Sequence, residues 1–131
     1  MEVTNDVLES LIERKQQIFA CEALAIPAAL LRNADVLVAC DILWFVDNEA
    51  ACSSLVRGAS KEEDVASIAG AAHLMMLQRR CRVWFEWIDS DSNPADGLSR
   101  DGCADKWTQC QGWQLRDEDA IEWSEIQQYV S

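Results

Sequence analysis

The stretch Ile42-Leu-Trp-Phe-Val-Asp47-Asn48 decides the fold of this chain, because five apolar residues end abruptly in an acid. A run rich in branched and aromatic side chains is typical of a buried strand in a parallel sheet. Asp47 and Asn48 would then follow the carboxyl end of that strand, where open α/β sheets bind ligands. The stretch therefore predicts an α/β domain with a candidate site at Asp47.

Apolar periodicity further along the chain predicts two helices and a second strand. Residues 49–56 indicate a short helix, and residues 60–79 a longer one in which Ser60 and Glu63 have the spacing of a capping box. Residues 82–88, with three aromatic side chains, predict the second strand. A strand, two helices and another strand favour parallel pairing of the two strands.

Two helices are also predicted before the first strand. A short one begins near Asp6, and the pattern of residues 18–32 predicts a longer one in which Pro27 marks a kink or a break. Glu22 lies on the apolar side of that longer helix. A buried carboxylate is costly unless it is paired or bound to a metal, so Glu22 is a candidate site residue.

Composition narrows the class of protein. The chain has 131 residues, about one domain, and half of them are hydrophobic, which is enough for a core. A net charge of −12 argues strongly against loose binding to phosphate backbones by this chain alone, although a metal-mediated phosphate site stays open. No apolar run reaches the ~18 residues of a membrane span, and no signal-peptide pattern is visible. We therefore expect a soluble, intracellular protein with no membrane partner.

The cysteines and the strand aromatics are expected to be structural. Six cysteines without a C-x-x-C pair indicate small buried hydrophobic residues in a reducing compartment, rather than a disulfide framework or a zinc site. The aromatic residues of both strands are predicted to form the core facing the helices. A base-stacking platform would need basic neighbours. The candidates for phosphate contacts are Lys61, Arg79, Arg80, Arg82 and Arg100.

Three acids could converge at the carboxyl edge of the sheet: Glu22, Asp47, and Asp96 in the first turn of a helix predicted to begin at Pro94. Converging carboxylates repel, and a hard divalent cation such as Mg²⁺ or Mn²⁺ resolves the repulsion. Two such ions about 3.5–4 Å apart can hold the attacking and leaving oxygens of a phosphodiester. Each acid alone has an ordinary alternative. Glu22 could be an exposed or salt-bridged helix acid, Asp47-Asn48 an N-cap of the helix over residues 49–56, and Asp96 a first-turn dipole partner.

Three motifs recur around these acids in order. They are Gln17-Ile-Phe-Ala-Cys-Glu22-Ala-Leu-Ala, then Trp44-Phe-Val-Asp47-Asn48-Glu-Ala-Ala with Leu55-Val-Arg-Gly58 after it, and Asn93-Pro-Ala-Asp96-Gly-Leu-Ser-Arg100. Together they resemble the ribonuclease H domain of retrotransposon reverse transcriptases, over roughly residues 15–102. The last motif is the most specific of the three.

The resemblance implies a function and a set of site residues. Glu22, Asp47 and Asp96 would be catalytic ligands of two Mg²⁺ or Mn²⁺ ions. Asn48, Asn93 and Arg100 would contact nucleic acid. The implied reaction is two-metal hydrolysis of the RNA strand in an RNA/DNA hybrid.

The sequence also departs from that family. The family begins with a three-stranded antiparallel meander whose first strand supplies another metal-bridging Asp, but only about twenty residues precede Glu22 here. The expected fold is therefore a partial ribonuclease H-like α/β fold over residues 1–102, with two parallel strands, flanking helices and no meander, followed by an acidic, Trp-containing extension over residues 103–131. No His lies in the loop before Asp96, where many relatives carry one.

These departures leave the activity open between two classes. One is a ribonuclease H-type enzyme that is active when the first strands are supplied. The other is a degenerate, non-catalytic ribonuclease H-like module, and a generic acidic interaction domain would explain the charge but not the ordered motifs. An unpaired strand edge is a liability, so we expect a homodimer or an N-terminal segment to complete the sheet.

Overall fold

The computed structural model describes residues 3–13, 17–95, 97, 101–113 and 121–129. Within this part the chain is a mixed α/β structure with two parallel strands and flanking helices. The strands are β1 (Asp41–Val46) and β2 (Arg82–Trp87). The helices are α1 (Asn5–Ser10), α2 (Ile18–Arg32), α3 (Glu49–Arg57), α4 (Glu63–Gln78), α5 (Lys106–Cys110) and α6 (Trp123–Gln127).

The two strands pair in parallel, with Asp41 opposite Arg82 and Val46 opposite Trp87 at the two ends of the register. Side chains alternate between the faces of a strand, so every second residue points toward the helices. Trp44 and Phe85 lie on that inner face, where both pack against the core and their ring centroids are 6.4 Å apart.

The outer face of the sheet differs from the sequence prediction. On this face Leu43 is 60% exposed, Phe45 46% and Trp84 67%. Trp87, which alternation places on the other face, is exposed as well because it lies at the end of β2. The prediction that all the strand aromatics form the core is therefore wrong for these aromatic residues. An apolar run specifies a strand, but the elements that cover each face are set by tertiary packing.

The core lies mainly between helices, where α2 packs against α4. Ile26 and Leu30 of α2 and Ile68 and Met75 of α4 are almost completely buried. Burying each such side chain contributes about 1.5–3 kcal/mol. Pro27 also lies inside α2, which continues through it, so the predicted break is absent.

The N-termini of α3 and α4 are capped differently. Asn48 caps α3, its Oδ1 accepting the N–H of Ala51 at 2.9 Å. The capping box predicted for α4 is wrong, because the helix begins at Glu63 after an N-cap at Glu62. The Ser60 hydroxyl oxygen instead accepts the N–H of Glu62 at 3.2 Å, a local turn that competes with capping.

The described part of the C-terminal segment packs on the first helices. Ile121 and Ile126 are buried in the same hydrophobic cluster as α1 and α2. Arg32 of α2 pairs with Glu125 of α6 at 2.8 Å. None of the helices in the described ranges is both long and apolar enough to cross a membrane.

The cysteines are less buried than their apolar surroundings predict. All six are free thiols, and only Cys52 is buried. The prediction of buried thiols is therefore wrong for the other five. Three are partly exposed and two are exposed: Cys21, Cys40 and Cys81, and Cys103 and Cys110.

Candidate functional site

Asp47 lies directly after β1, at the carboxyl end of the sheet, and is half-buried. The amide Nδ2 of Asn93 donates to Asp47 Oδ2 at 3.1 Å. The indole Nε1 of Trp87 donates to the Asp47 backbone carbonyl at 3.3 Å. Both the backbone and the side chain of Asp47 are therefore held from β2 and the loop that follows it.

Glu22 reaches the same place from α2. Burial raises the pKa of the half-buried Glu22 carboxyl, and the negative charge of Asp47 and a side-chain hydrogen bond with Asp47 raise it further. The protonated form of Glu22 donates this bond, since an ionised carboxylate only accepts. The structure thus brings together two of the three acids singled out by the sequence.

A cavity of about 500 Å³ opens beside the two acids. Glu22, Asp47 and Asn93 supply polar groups to its wall, while Leu24 and Trp44 belong to its apolar lining. A mostly apolar cavity with a few convergent polar groups is the usual form of a ligand site. The position agrees with the rule that open α/β sheets bind ligands at their carboxyl ends.

The two asparagines expected to contact nucleic acid have structural partners. Asn48 Oδ1 is occupied by the N-cap of α3. Asn93 uses both ends of its amide, because Oδ1 accepts the N–H of Ala95 at 3.0 Å while Nδ2 holds Asp47. The sequence does not predict the anchoring of Asp47 by Asn93, because local sequence shows only an Asn before a Pro after a polar loop.

Asp96 and Arg100 lie outside the described residues, as does most of the helix predicted to begin at Pro94. Across the part of the chain that is described, no group of three or more His, Cys, Asp and Glu side chains is arranged to hold a metal ion. Glu22 and Asp47 form a pair. A pair is chemically sufficient for a Mg²⁺ site when water and substrate phosphate complete the coordination, because Mg²⁺ is usually held by one or two carboxylates.

Three of the basic residues proposed for phosphate contacts, Arg79, Arg80 and Arg82, lie far from this pair. Arg82 binds Asp41 at the start of the strands, with Nε and Oδ1 2.7 Å apart. Arg79, which precedes β2, donates to the carbonyl of Leu30. A six-residue strand is about 20 Å long, so this basic cluster is at the opposite end of the sheet from Asp47.

No protein-family model matches this chain, and neither the curated proteins nor the solved structures contain a match to it. The likeness to ribonuclease H therefore rests on the three sequence motifs and stays a prediction. What stands independently of it is the contact of Glu22 with Asp47 beside a cavity.

Proposed function

We propose that this chain is a ribonuclease H-type domain that hydrolyses the RNA strand of an RNA/DNA hybrid with divalent metal ions. The observation that carries the proposal is that Glu22 and Asp47 line one cavity at the carboxyl end of β1, close enough for the charge of Asp47 to raise the pKa of Glu22 beyond the effect of burial. These are the first two acids of the three ordered motifs. The third, Asp96, is assigned on its motif alone.

The acid pair fits the metal ions that this chemistry uses. Two adjacent carboxylates repel each other unless a proton or a cation lies between them, and burial first and then this repulsion raise the pKa of Glu22. Glu22 and Asp47 would hold Mg²⁺ or Mn²⁺, with Asp96 as a further ligand. A bound ion supplies Lewis-acid polarisation of the phosphodiester and a water molecule of lowered pKa.

Asn93 acts in this proposal as a positioning residue. Its hydrogen bond restrains one carboxylate oxygen of Asp47, and Trp87 restrains the backbone of Asp47. Metal ligands work best when surrounding hydrogen bonds hold them in one orientation. The Asp47 carboxylate is therefore oriented before any ligand arrives.

The test is cleavage of a labelled RNA/DNA hybrid by the purified chain, in Mg²⁺ and separately in Mn²⁺. Asp47→Asn should abolish cleavage, because it removes a charged ligand but keeps an oxygen for the Asn93 amide. Asp41→Asn is the matched control, since Asp41 is an exposed acid at the other end of the same strand. This control should cleave at the wild-type rate.

Two results would count against the enzyme. One is a folded wild-type chain that cleaves no hybrid in either metal. The other is cleavage that Asp47→Asn and Asp41→Asn reduce equally, since that would trace the activity to a contaminant or to general charge.

A second candidate is a non-catalytic ribonuclease H-like module that works through the outer face of its sheet. Leu43 and Trp84 are register partners on this face, and both are more than half exposed. Contiguous exposed apolar surface marks interaction sites. The basic cluster lies at the opposite end of the sheet from Asp47, so it cannot hold a hybrid at the acid pair. This separation also favours the non-catalytic candidate over hybrid binding by the chain alone.

The occupant proposed for that face and for the adjoining edge of the sheet is a second copy of the chain. Light scattering during size-exclusion chromatography should then show a dimer, which Trp84→Lys converts to monomer. Trp113→Lys is the control, since Trp113 is an exposed Trp outside the sheet. A wild-type monomer at micromolar concentration would contradict this candidate.

A further inference from the structure

Cys40 and Cys81 lie side by side where the two strands begin, at the opposite end of the sheet from Asp47. Their Sγ atoms are 3.9 Å apart, although 41 positions separate them in the sequence. Each cysteine directly precedes its strand, one step before the first register pair of Asp41 and Arg82. The two thiols are therefore neighbours across the parallel ladder.

Backbone hydrogen bonds hold the two chains together on either side of the thiols. The N–H of Ala39 donates to the carbonyl of Arg79 at 2.7 Å, and the N–H of Arg82 donates to the carbonyl of Cys40 at 3.0 Å. Ala39 and Arg80, which precede the two cysteines, take left-handed conformations with φ of 50° and 56°. Such conformations persist only where the surrounding structure holds them, so the spacing of the two cysteine backbones is fixed.

That spacing suits a disulfide. Neighbouring strands lie about 4.8 Å apart, within the range of about 4.4–6.8 Å for the Cα atoms of bonded cysteines. Bond formation then requires rotation of the side chains alone. Cys81 Sγ lies 3.3 Å from the carbonyl oxygen of Leu37. Both cysteines are partly exposed, so an oxidant can reach them.

We propose that Cys40 and Cys81 are a reversible thiol–disulfide pair, closed by a disulfide oxidant such as oxidised glutathione and reopened by a thiol reductant. One cysteine thiolate attacks the oxidant's S–S bond, forming a mixed disulfide and releasing one thiol. The second cysteine attacks the sulfur of the first, forming the Cys40–Cys81 bond and releasing the other thiol. Two electrons and two protons thus pass from the pair to the oxidant.

The bond ties the start of β1 to the start of β2 and leaves the Glu22–Asp47 end of the sheet unchanged. The closed loop contains β1, α3 and α4. Closing a loop of this length restricts the unfolded chain and so stabilises the folded one. The proposal does not depend on ribonuclease activity.

The test is a redox titration of the full chain in mixtures of reduced and oxidised glutathione, followed by alkylation and peptide mapping by mass spectrometry without reduction. We expect a peptide linked through Cys40 and Cys81, about 2 Da lighter than its two thiol components, and a thermal midpoint about 10 °C higher. Cys40→Ser and Cys81→Ser should each abolish both changes. Cys103→Ser, which alters an exposed thiol outside the sheet, should leave both intact.

Repeating the titration on the wild-type chain in urea separates a disulfide favoured by the fold from chance pairing among the thiols. The equilibrium constant for the Cys40–Cys81 bond should be at least about tenfold higher in the folded chain. Separate glutathionylation of the two cysteines without a cross-link, or equal linkage in urea, would overturn the proposal.

Discussion

Asn93 Nδ2 lies 3.1 Å from Asp47 Oδ2, and this hydrogen bond joins the loop after β2 to the end of β1 across 46 positions of sequence. The same side chain accepts the N–H of Ala95 through Oδ1. Glu22 contacts Asp47 from α2 on the same cavity. The three polar side chains therefore form one network contributed by a helix, a strand end and a loop.

Asn93→Ala should destabilise the chain at neutral pH, because it removes both hydrogen bonds and leaves the half-buried Asp47 with one partner fewer. We expect the free energy of unfolding to fall by about 1–3 kcal/mol, the usual cost of losing a hydrogen bond to a charged group. Urea denaturation followed by circular dichroism measures it. Asn33→Ala, which loses one side-chain bond to the Ala29 carbonyl, is the control and should cost less. Equal losses of stability in the two variants would show that the Asn93 side chain contributes only to its local turn.

The stabilities of the Glu22→Gln variant and of the wild type should diverge as the pH rises. Burial first, and then Asp47, raise the pKa of Glu22 above its ordinary value of 4.5. The folded chain thus binds this proton more tightly than the unfolded chain, and stability declines as the pH rises from 4.5 through the folded pKa. The neutral amide of Gln does not titrate, so the stability of the variant lacks this decline. The variant therefore becomes more stable relative to the wild type toward neutral pH.

Urea curves at several pH values between about 4 and 8 span this decline. Glu9→Gln, on an exposed residue of α1, is the matched control and should track the wild type throughout. Parallel pH profiles for Glu22→Gln and the wild type would show that the folded chain does not hold the Glu22 proton more tightly.

The strands and α2 could be predicted because their signals are local. The apolar runs at residues 42–46 and 82–88 lie within one residue of Asp41–Val46 and Arg82–Trp87. The exposure of Phe45 and Trp84 could not be predicted, because a run that is apolar on both faces carries no mark of the face left uncovered. Coverage depends on where distant helices pack.

The candidate site could be predicted from the sequence to about the same extent as the fold. Glu22 stood out as a carboxylate on the apolar side of a helix, and Asp47 as an acid at a strand end. Their proximity follows once α2 and the end of β1 line the same cavity. The role of Asn93 did not follow, because its partner Asp47 is 46 positions away and local sequence shows only a turn. The sequence allows Asn48 to contact nucleic acid or to cap a helix, and the geometry shows the N-cap.

Mg²⁺ should stabilise the folded wild-type chain if Glu22 and Asp47 hold the ion, because a ligand that binds only the folded state raises its stability. The gain is about 2.7 kcal/mol at one hundred times the dissociation constant. Thermal melts in MgCl₂ and in KCl of equal ionic strength measure it. Asp47→Asn should lose the gain and Asp41→Asn should keep it. A gain shared by both variants would come from general screening of the −12 net charge.

Arg32 and Glu125 form a two-point ion pair, with nitrogen–oxygen distances of 2.8 and 2.9 Å, that joins α2 to α6. Hydrogen bonds from Arg32, and then from the backbone N–H of Glu122, lower the pKa of Glu125 to about 2. The folded chain therefore releases this proton more readily than the unfolded chain. The resulting stability is present above pH 4.5 and is lost as the pH falls from 4.5 toward 2.

Glu125→Gln should accordingly lower the free energy of unfolding at neutral pH by about 1 kcal/mol, a modest figure because water screens a partly exposed pair. The difference from wild type should shrink through the acid range and vanish as the pH falls below about 2 in urea titrations. Asp41→Asn breaks the Arg82 pair, which is far more exposed, and should change stability little at any pH. If Glu125→Gln behaved like Asp41→Asn, the C-terminal helix would be held by Ile121 and Ile126 rather than by the ion pair.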